Sequence, residues 1–591
     1  AAAGRGLSAA LAGWQFSRRP LRGAGPVLLL VLAVATGMLA IGQAASWDRS
    51  QSDQADFRSG ASVRVVAGVG DDGAQYADVP GVRDAAPAFR TGVELSGGRT
   101  AEVLALDTAH AGEHMLMRED LSGASPGKLF EAIAPPKAAR TGVVLPRKST
   151  RLLVDLRLRD TSAAGGRSPS GAAPVLTVLL EDRYGTAHRV AAGKVPVDGR
   201  PHTMSVPVSA DGGPAVTGFE LDSPAPGRAE TRLVSVTGLR ALTADGERPV
   251  PASDTVRWRA ATSLSSGNEE RAGTAPEEVS GSGAAPAFRQ TTGSAPSDGY
   301  GAEETDTLRI AAVRPAAPAL KAVATDAYLA YAGAEPGQQV DLTLAGNTVR
   351  VTLVKAVRQL PTTGPAGGAE AVAGAAVKSG GSLLLDLRAV SEVLAHRPGA
   401  SLPPTEWWLS TAPGDGPRVA AQLRERPGID PAQVLVRDET ARELADDPLG
   451  AGPQSALLAV AVVAAALAAV GFAVGLAGSQ RERSAEFAVL RALGASRRGL
   501  ARMTAAEQGV LISLAVLIGL ALGAVLTRAV VPLVVLTGQA ARPVPDVLVM
   551  LPAGQVAVLL AGVALLPLLI VAALTLRRSD PAVSLRHQGD N

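Results

Sequence analysis

Apolar and polar positions along this chain sort into three patterns. Four stretches carry no charged side chain: Gly23 to Trp47, Pro448 to Gln480, Gln508 to Thr527 and Val547 to Leu576. Each supplies the roughly 20 apolar residues that cross a hydrocarbon layer of about 30 Å. From Ala456 to Ala477 the chain is apolar on every side, whereas a helix on a soluble core keeps a polar stripe. The pattern predicts transmembrane helices at 23–47, 453–478, 508–535 and 551–576, with a short outer loop at 536–550. Leu7, Ala10, Leu11 and Trp14 fall at i, i+3, i+4 and i+7, which predicts an amphipathic helix over 1–22 along the inner leaflet. Pro567 predicts a kink in the fourth span.

Residues 48–447 follow the other two patterns. Toward the start, Ala61 to Ala67 and Thr91 to Leu95 read as strands around a short helix or turn beginning at Val79. Toward the end, Trp407 to Ser410, Arg418 to Arg426 and Gln433 to Arg437 read as strand, helix and strand. Lys321 to Ala332 reads as a helix, Gln339 to Val354 as a hairpin closed by Gly346-Asn347, and Leu383 to Ala389 as a strand before a helix through Leu394. These ends predict one α+β module made from 48–149 and 314–447, its strands pairing across the insertion. In 150–313, Arg151 to Asp160, Val175 to Glu181, Arg189 to Val195, His202 to Val208, Val216 to Leu221 and Arg232 to Ala241 alternate between turn residues. That is a β-sandwich pattern, with a jelly roll as the expected form. Residues 263–305, rich in Ser, Gly, Ala, Pro and Glu, read as flexible, with Phe288 to Gln290 as one more strand.

Charge placement orients the spans, because basic side chains within about 20 residues of a span stay in the cytoplasm. Arg18, Arg19 and Arg22 precede the first span, Arg481 to Arg502 lie between the second and third, and Arg577, Arg578 and Arg586 follow the fourth. Both termini and the loop 479–507 are therefore expected inside, and residues 48–447 outside. The expected fold class is an α-helical membrane protein with four transmembrane helices and a large extracytoplasmic α+β domain containing an inserted jelly-roll-like β-sandwich, located in the plasma membrane. The net charge of +2 conceals a division, since 48–447 holds 42 basic and 49 acidic residues. A basic inner face and an acidic outer one suit an anionic bilayer surface, so the pI near 9 does not point to nucleic acid.

The chain has no cysteine, which excludes a disulfide framework and cysteine-based metal or redox sites. It begins with Ala1 rather than Met, as expected of an internal fragment of a longer chain or of a processed one; heavy Ala, Gly, Pro and Arg usage suggests a GC-rich genome.

Between the second and third spans the chain reads Ser479-Gln-Arg-Glu-Arg-Ser-Ala-Glu-Phe-Ala-Val-Leu-Arg-Ala-Leu-Gly-Ala-Ser-Arg-Arg-Gly-Leu and continues to Glu507. Phe487, Leu490 and Leu493 make one helix face, Gly494 ends that helix, and Ser496 can cap the next. This arginine-rich elbow, with Arg481, Glu482, Arg483, Glu486, Phe487, Leu490, Arg491, Ala492, Leu493, Gly494, Ala495 and Glu507, then Pro581 and Leu585-Arg586, resembles the FtsX-like, MacB-type permeases of ABC transporters. One span, a large outer domain and three further spans is also that family's layout.

The resemblance implies a permease subunit that binds a separate cytoplasmic ABC ATPase and pairs with a second permease copy or a homologous half. It also implies that nucleotide-driven closure becomes movement of the outer domain. Arg481, Arg483, Glu486, Phe487, Arg491, Gly494, Ala495, Ser496, Arg497, Arg498 and Glu507 are the coupling residues it implies, with Gly494 to Arg498 at the contact. ATP and Mg would belong to the partner, since no segment here reads G-x-x-x-x-G-K-[ST], and no cofactor is expected on this chain. The substrate class implied is lipid-linked or peptidic. A mechanotransmitter that moves no substrate and acts on an extracellular partner such as a cell-wall hydrolase is the second reading. A membrane-tethered glycan or protein receptor is the third.

Gly471 with Gly475, and Gly519 with Gly523, are GxxxG pairs for close helix packing or a dimer contact. No ionisable residue lies deep in a span, which disfavours an ion-coupled transporter. Glycan binding by the sandwich would use Tyr184, Phe219, Trp258 and Phe288 as its aromatic platform. His110-Ala-Gly-Glu-His114 fits H-x-x-E-H, a zinc-protease pattern that requires one helix face, but Gly112 weakens that helix and no third ligand is evident. Asp446-Asp447 marks a water boundary rather than a calcium site.

Overall fold

The computed structural model describes residues 24–576 apart from 67–72, 137–139, 163–165, 169, 172, 209–212, 227, 251–255, 267–268, 281–285, 293–303, 365–377, 398, 447, 483–496 and 538–540. The amphipathic segment expected over 1–22 and the tail 577–591 lie outside the described residues. The chain divides into two bodies, 1–55 with 441–591 and 56–440.

The first body holds four long helices, Ala24–Ser59, Pro448–Glu482, Arg497–Val534 and Ala553–Leu576. Each contains a segment long and apolar enough to cross a membrane. The first three run beyond their expected spans. The first has 36 residues, about 54 Å at 1.5 Å per residue. Loss of apolarity after Trp47 marks where hydrocarbon would end, not where helix ends. The polar extension is helix-competent, and Arg49 pairs with Asp53 one turn on at 2.9 Å. Pro567 and Pro532 both lie inside their helices.

The first helix is the one the others pack on. Leu30, Val34 and Met38 are buried together with Ala468, Phe472 and Ala515 of the second and third helices. A Cβ on Gly519 would lie 2.7 Å from Val34, one on Gly523 2.8 Å from Met38, and ones on Gly471 and Gly475 would meet Leu29 and Pro26. Both GxxxG pairs thus pack within the chain, where missing side chains let backbones approach. Gly42 likewise faces Thr527, whose hydroxyl donates to the Gly523 carbonyl at 2.7 Å. Val462, Leu467, Leu517, Val525 and Val558 point outward with more than half their surface exposed, as lipid-facing residues would. After the third helix, Val547 and Val549 pack beside Trp47, and the Met550 amide donates to the Ser46 hydroxyl at 2.9 Å.

The second body contains a mixed sheet of nine strands. Across it the order is Gln339–Leu344, Asn347–Val357, Leu320–Thr325, Ser379–Asp386, Arg99–Leu106, Val82–Leu95, Glu406–Thr411, Val63–Val66 and Val434–Val436. The two sequence ends therefore share one sheet, with Val63 opposite both Leu409 and Val436. Helices Asp326–Ala332 and Leu387–Leu394 contribute to one apolar cluster, and Pro126–Ile133 to another. Three local expectations change. Lys321 to Ala332 is not one helix: Leu320–Thr325 is a strand buried on both faces, so no alternation betrays it, and the Thr325 hydroxyl accepts from the Tyr328 amide to start the helix. The hairpin turn is Ala345-Gly346, both at positive φ, with Leu344 opposite Asn347. Val82–Leu95 is one continuous strand rather than a turn and a short strand.

The inserted part forms two facing sheets around one core. One is ordered Glu277–Ser280, Ala287–Thr292, Glu230–Thr243, Arg151–Asp160 and Pro201–Pro207, with Gly246–Pro249 beside Glu230–Thr243. The other is ordered Glu269–Ala272, Trp258–Ser266, Thr305–Ala312, Ala215–Pro224, Val175–Glu181 and Ala187–Lys194, with Val143–Val144 beside Ala215–Pro224. Alternate residues of each strand, such as Leu152, Val154, Leu156 and Leu158, fill the space between. The stretch 263–305 is not simply flexible: among its described residues it supplies the strands Glu269–Ala272, Glu277–Ser280 and Ala287–Thr292. Low apolar content hid them, because they are short and lie at or near sheet edges.

Gly42→Val would push a side chain into the space held by Thr527 and should lower the thermal midpoint in detergent by the equivalent of about 1–3 kcal/mol. Gly25→Ala, with nothing within 4 Å of its Cβ, should leave that midpoint unchanged.

Candidate functional site

The second membrane helix ends at Glu482 and the third begins at Arg497. Arg481 therefore closes one helix, Arg497 and Arg498 open the next, and Glu507 follows within it. Arg483, Glu486, Phe487, Arg491, Gly494, Ala495 and Ser496 lie outside the described residues. Two long helices thus converge on a link of only 14 residues, 483–496.

The nine-stranded sheet carries a buried charge cluster that the alternation did not reveal. Arg90 donates to Glu406 and to Glu102, and its remaining N–H groups reach the Thr362 carbonyl and hydroxyl, each at 2.8 Å. Glu102 also accepts from the Gly364 amide at 3.0 Å, and Glu406 from the Trp408 indole at 3.1 Å. Arg64 approaches Glu406 only to 3.9 Å, and its buried Nε has no hydrogen bond among the described residues. Burial alone would raise the Glu406 carboxyl; the charges of Arg90 and Arg64 outweigh it and bring it from 4.5 down to about 2. Burial pushes the Arg64 guanidinium down to about 10. For Arg90, burial is outweighed by the two glutamates, so it stays above its ordinary range. A cleft of about 230 Å³ lies against the cluster, bordered by Thr91, Thr100, Ser379 and Thr405. Since Arg90, Glu102 and Glu406 already bond one another, the cluster reads as a lock between strands distant in sequence.

A second feature joins the sandwich to the nine-stranded module. In the turn after Val175–Glu181, Asp182 accepts from the amides of Tyr184 and Thr186 at 2.9 and 2.8 Å, and Gly185 takes φ +85°. The turn aims Tyr184 out of the sandwich and into the module's core, where it is 3% exposed among Val63, Tyr76, Trp407 and Val436. Its ring meets Trp407 edge-on at 5.2 Å and His110 at 4.9 Å, and Trp407 stacks on Tyr76 at 5.4 Å. Burial raises the Tyr184 hydroxyl to about 12. Arg388 donates to the Arg183 carbonyl, Arg140 to the Gly213, Glu181 and Asp182 carbonyls, and Arg314 pairs with Glu181 at 2.8 Å. The strands receiving Tyr184 include Val63–Val66 and Val434–Val436, which follow the first membrane helix and precede the second in sequence.

Tyr184 was legible only as a sugar-platform aromatic. A large ring in an Asp-Arg-Tyr-Gly turn, where small polar residues are the norm, was the available signal. Phe219, Trp258 and Phe288 are buried in the sandwich core, so none of the four presents an exposed stacking face. In His110 to His114, the helix Thr108–Ala111 stops at Gly112 and a short 3-10 turn follows, so the two histidines do not share a helix face. His110 bonds Asp107 at 2.7 Å, His114 lies 3.4 Å from Asp84, and no metal-holding group of His, Cys, Asp or Glu exists among the described residues.

Two outcomes are expected. Because the folded pKa of Glu406 is depressed, its contribution is present above pH 4.5 and lost as pH falls toward 2. Glu406→Gln should cost about 3–5 kcal/mol near neutral pH and flatten part of the acid dependence of the tryptophan-fluorescence unfolding midpoint. Tyr184→Ala should cost about 3–5 kcal/mol and broaden the pulsed-EPR distance distribution between spin labels at Thr203 in the sandwich and Thr343 in the module. An unchanged distribution would show that Tyr184 does not seat the sandwich.

Comparison with known proteins adds the family. No curated protein matches this chain. Residues 458–580, which take in the last three membrane helices and the link 483–496, match the family model described as FtsX-like permease C-terminal. The chain thus carries a segment similar to the FtsX-like permease C-terminal domain, consistent with an FtsX-like permease, and it is a membrane protein.

Proposed function

We propose that this chain is the permease subunit of an ABC transporter of the FtsX/MacB mechanotransmission type, exporting or extracting a lipid-linked or peptidic substrate. The observation that carries this reading is the FtsX-like match over 458–580, centred on two helices joined by an arginine-rich link. FtsX-like permeases generally work with a cytoplasmic ABC ATPase, and the link 479–507 is where that partner docks in this reading. Arg481, Arg483, Glu486, Arg491, Arg497 and Arg498 offer it charged contacts around Gly494. Residues 48–447 lie outside the cell, as the placement of arginines about the spans supports. The sandwich is read as a jelly roll, supported by strands that cross between its two sheets.

Mechanical coupling rather than ion coupling is supported by the spans, whose described packing is mostly apolar and glycine-mediated and whose uncharged stretches supply no ionisable side chain. In the outer domain, the Glu406 cluster and the Tyr184 junction hold the parts that a membrane movement would have to displace together. The buried positions of Tyr184, Phe219, Trp258 and Phe288 weigh against a glycan receptor that depends on aromatic stacking.

The test is co-purification. A chain carrying Gly494→Pro, Arg497→Ala and Arg498→Ala should insert normally but lose a co-purifying ABC ATPase that the parent retains. An ATPase bound equally by both would remove the docking assignment.

A further inference from the structure

Many arginines of residues 48–447 are committed to carboxylates, among them Arg90, Arg240, Arg289, Arg309, Arg314 and Arg424. Among the exposed ones that are not, four lie close together in the fold. Arg157, Arg159, Arg167 and Arg200 are exposed, and none makes an ion pair or a side-chain hydrogen bond among the described residues.

The fold brings these four together. Arg157 and Arg159 are two apart on Arg151–Asp160, whose even-numbered positions point into the core, so both face solvent about 7 Å apart. The stem of Arg159 runs beside two glycines: a Cβ on Gly166 would lie 2.8 Å from it and one on Gly199 3.6 Å. Arg167 and Arg200 are the next residues in each loop. Both loops are fixed to that strand, since the Asp160 amide donates to the Gly166 carbonyl at 3.0 Å and the Gly199 amide to the Leu158 carbonyl at 2.8 Å. The first loop is also tied down by the buried Glu230, which accepts from the Ser168 hydroxyl at 2.8 Å and the Ser170 amide at 3.0 Å. Glu230 is itself held by Arg232 at 2.8 Å. The acids of these segments already have partners: Asp155 pairs with Arg240 at 2.7 Å, Asp198 accepts from the Arg200 amide and bonds His202, each at 2.9 Å, and Asp160 accepts from the Ser162 amide at 2.7 Å.

Four unpaired guanidinium groups on a preorganised backbone, in a region where acidic residues outnumber basic ones 49 to 42, are a local reversal of sign. Their surroundings narrow the partner. Neutral glycans need an exposed ring to stack on, and the sandwich aromatics named above are buried. Protein partners want apolar anchors, whereas the exposed described residues of this corner are arginine, serine, threonine and glycine. Exposed guanidinium groups each gain at most about 1 kcal/mol from one anion, so useful affinity requires a ligand repeating its charge along a chain.

We propose that this corner of the sandwich is a docking surface for a linear polymer whose backbone repeats phosphate groups. The guanidinium fork matches phosphate oxygens in pairs, and the two strand arginines set the direction along which the polymer lies.

The test uses the full chain in nanodiscs of zwitterionic lipid and a fluorescent short-chain polyphosphate, read by anisotropy across a salt series. Arg157→Ala with Arg159→Ala should weaken binding about tenfold and reduce the slope of log K against log salt by about 1.5. The arginines of the link 483–496 are the same in parent and variant, so the difference reads this corner alone. Arg350→Ala, an exposed arginine paired with Asp341, should change nothing. Near-ultraviolet circular dichroism checks that the double variant is folded. Unchanged binding in the folded double variant would overturn the proposal. So would tighter arginine-dependent binding to a polyuronate, or arginine-dependent binding to anionic vesicles with none to polyphosphate.

Discussion

A hydrocarbon layer accepts neither charge nor unpaired backbone, and that constraint shapes the membrane body. It forces four helices with uncharged middles, and it removes the hydrophobic drive that would press those helices together. Small residues supply the contact instead. Gly471, Gly475, Gly519 and Gly523 all seat on the first helix, with Gly37 and Gly42 of that helix facing Leu559 and Thr527. The first membrane helix is thereby the one the other three grip.

In the second body the sign of the problem reverses, because charge placed inside must find a partner. Arg90, Glu102 and Glu406 do so across strands more than 300 residues apart, tying the start of the domain to its end. Tyr184 joins the inserted sandwich to the same sheet by burying a ring rather than by a hinge. Three parts separated in sequence are thus held by short-range packing, ion pairs and hydrogen bonds. Arg64, left with an unbonded Nε, is the one member of the cluster that the strands do not satisfy.

The helices were legible because apolarity without interruption has one interpretation at their length. Sandwich strands such as Arg151–Asp160 were legible because one face is wet, so burial alternates. Where both faces are covered, as in Leu320–Thr325, alternation vanishes and the strand passes for a helix. The same blindness hid the charge cluster: Arg64 between Val63 and Val65 looks like a solvent-facing residue, and only pairing with Glu406–Thr411 shows that its face is covered too. The FtsX-like segment was marked by the order of its residues.

Which side of the membrane each part occupies underlies every functional statement made for this chain, and it can be measured directly. The absence of native cysteine means that one introduced thiol carries all the signal. With Thr203→Cys in the sandwich or Ser496→Cys in the link, an impermeant maleimide added to intact cells should label the first variant at once and the second only after permeabilisation. Labelling of Ser496→Cys in intact cells, with Thr203→Cys protected, would contradict the inward-facing docking link and the transporter reading built on it.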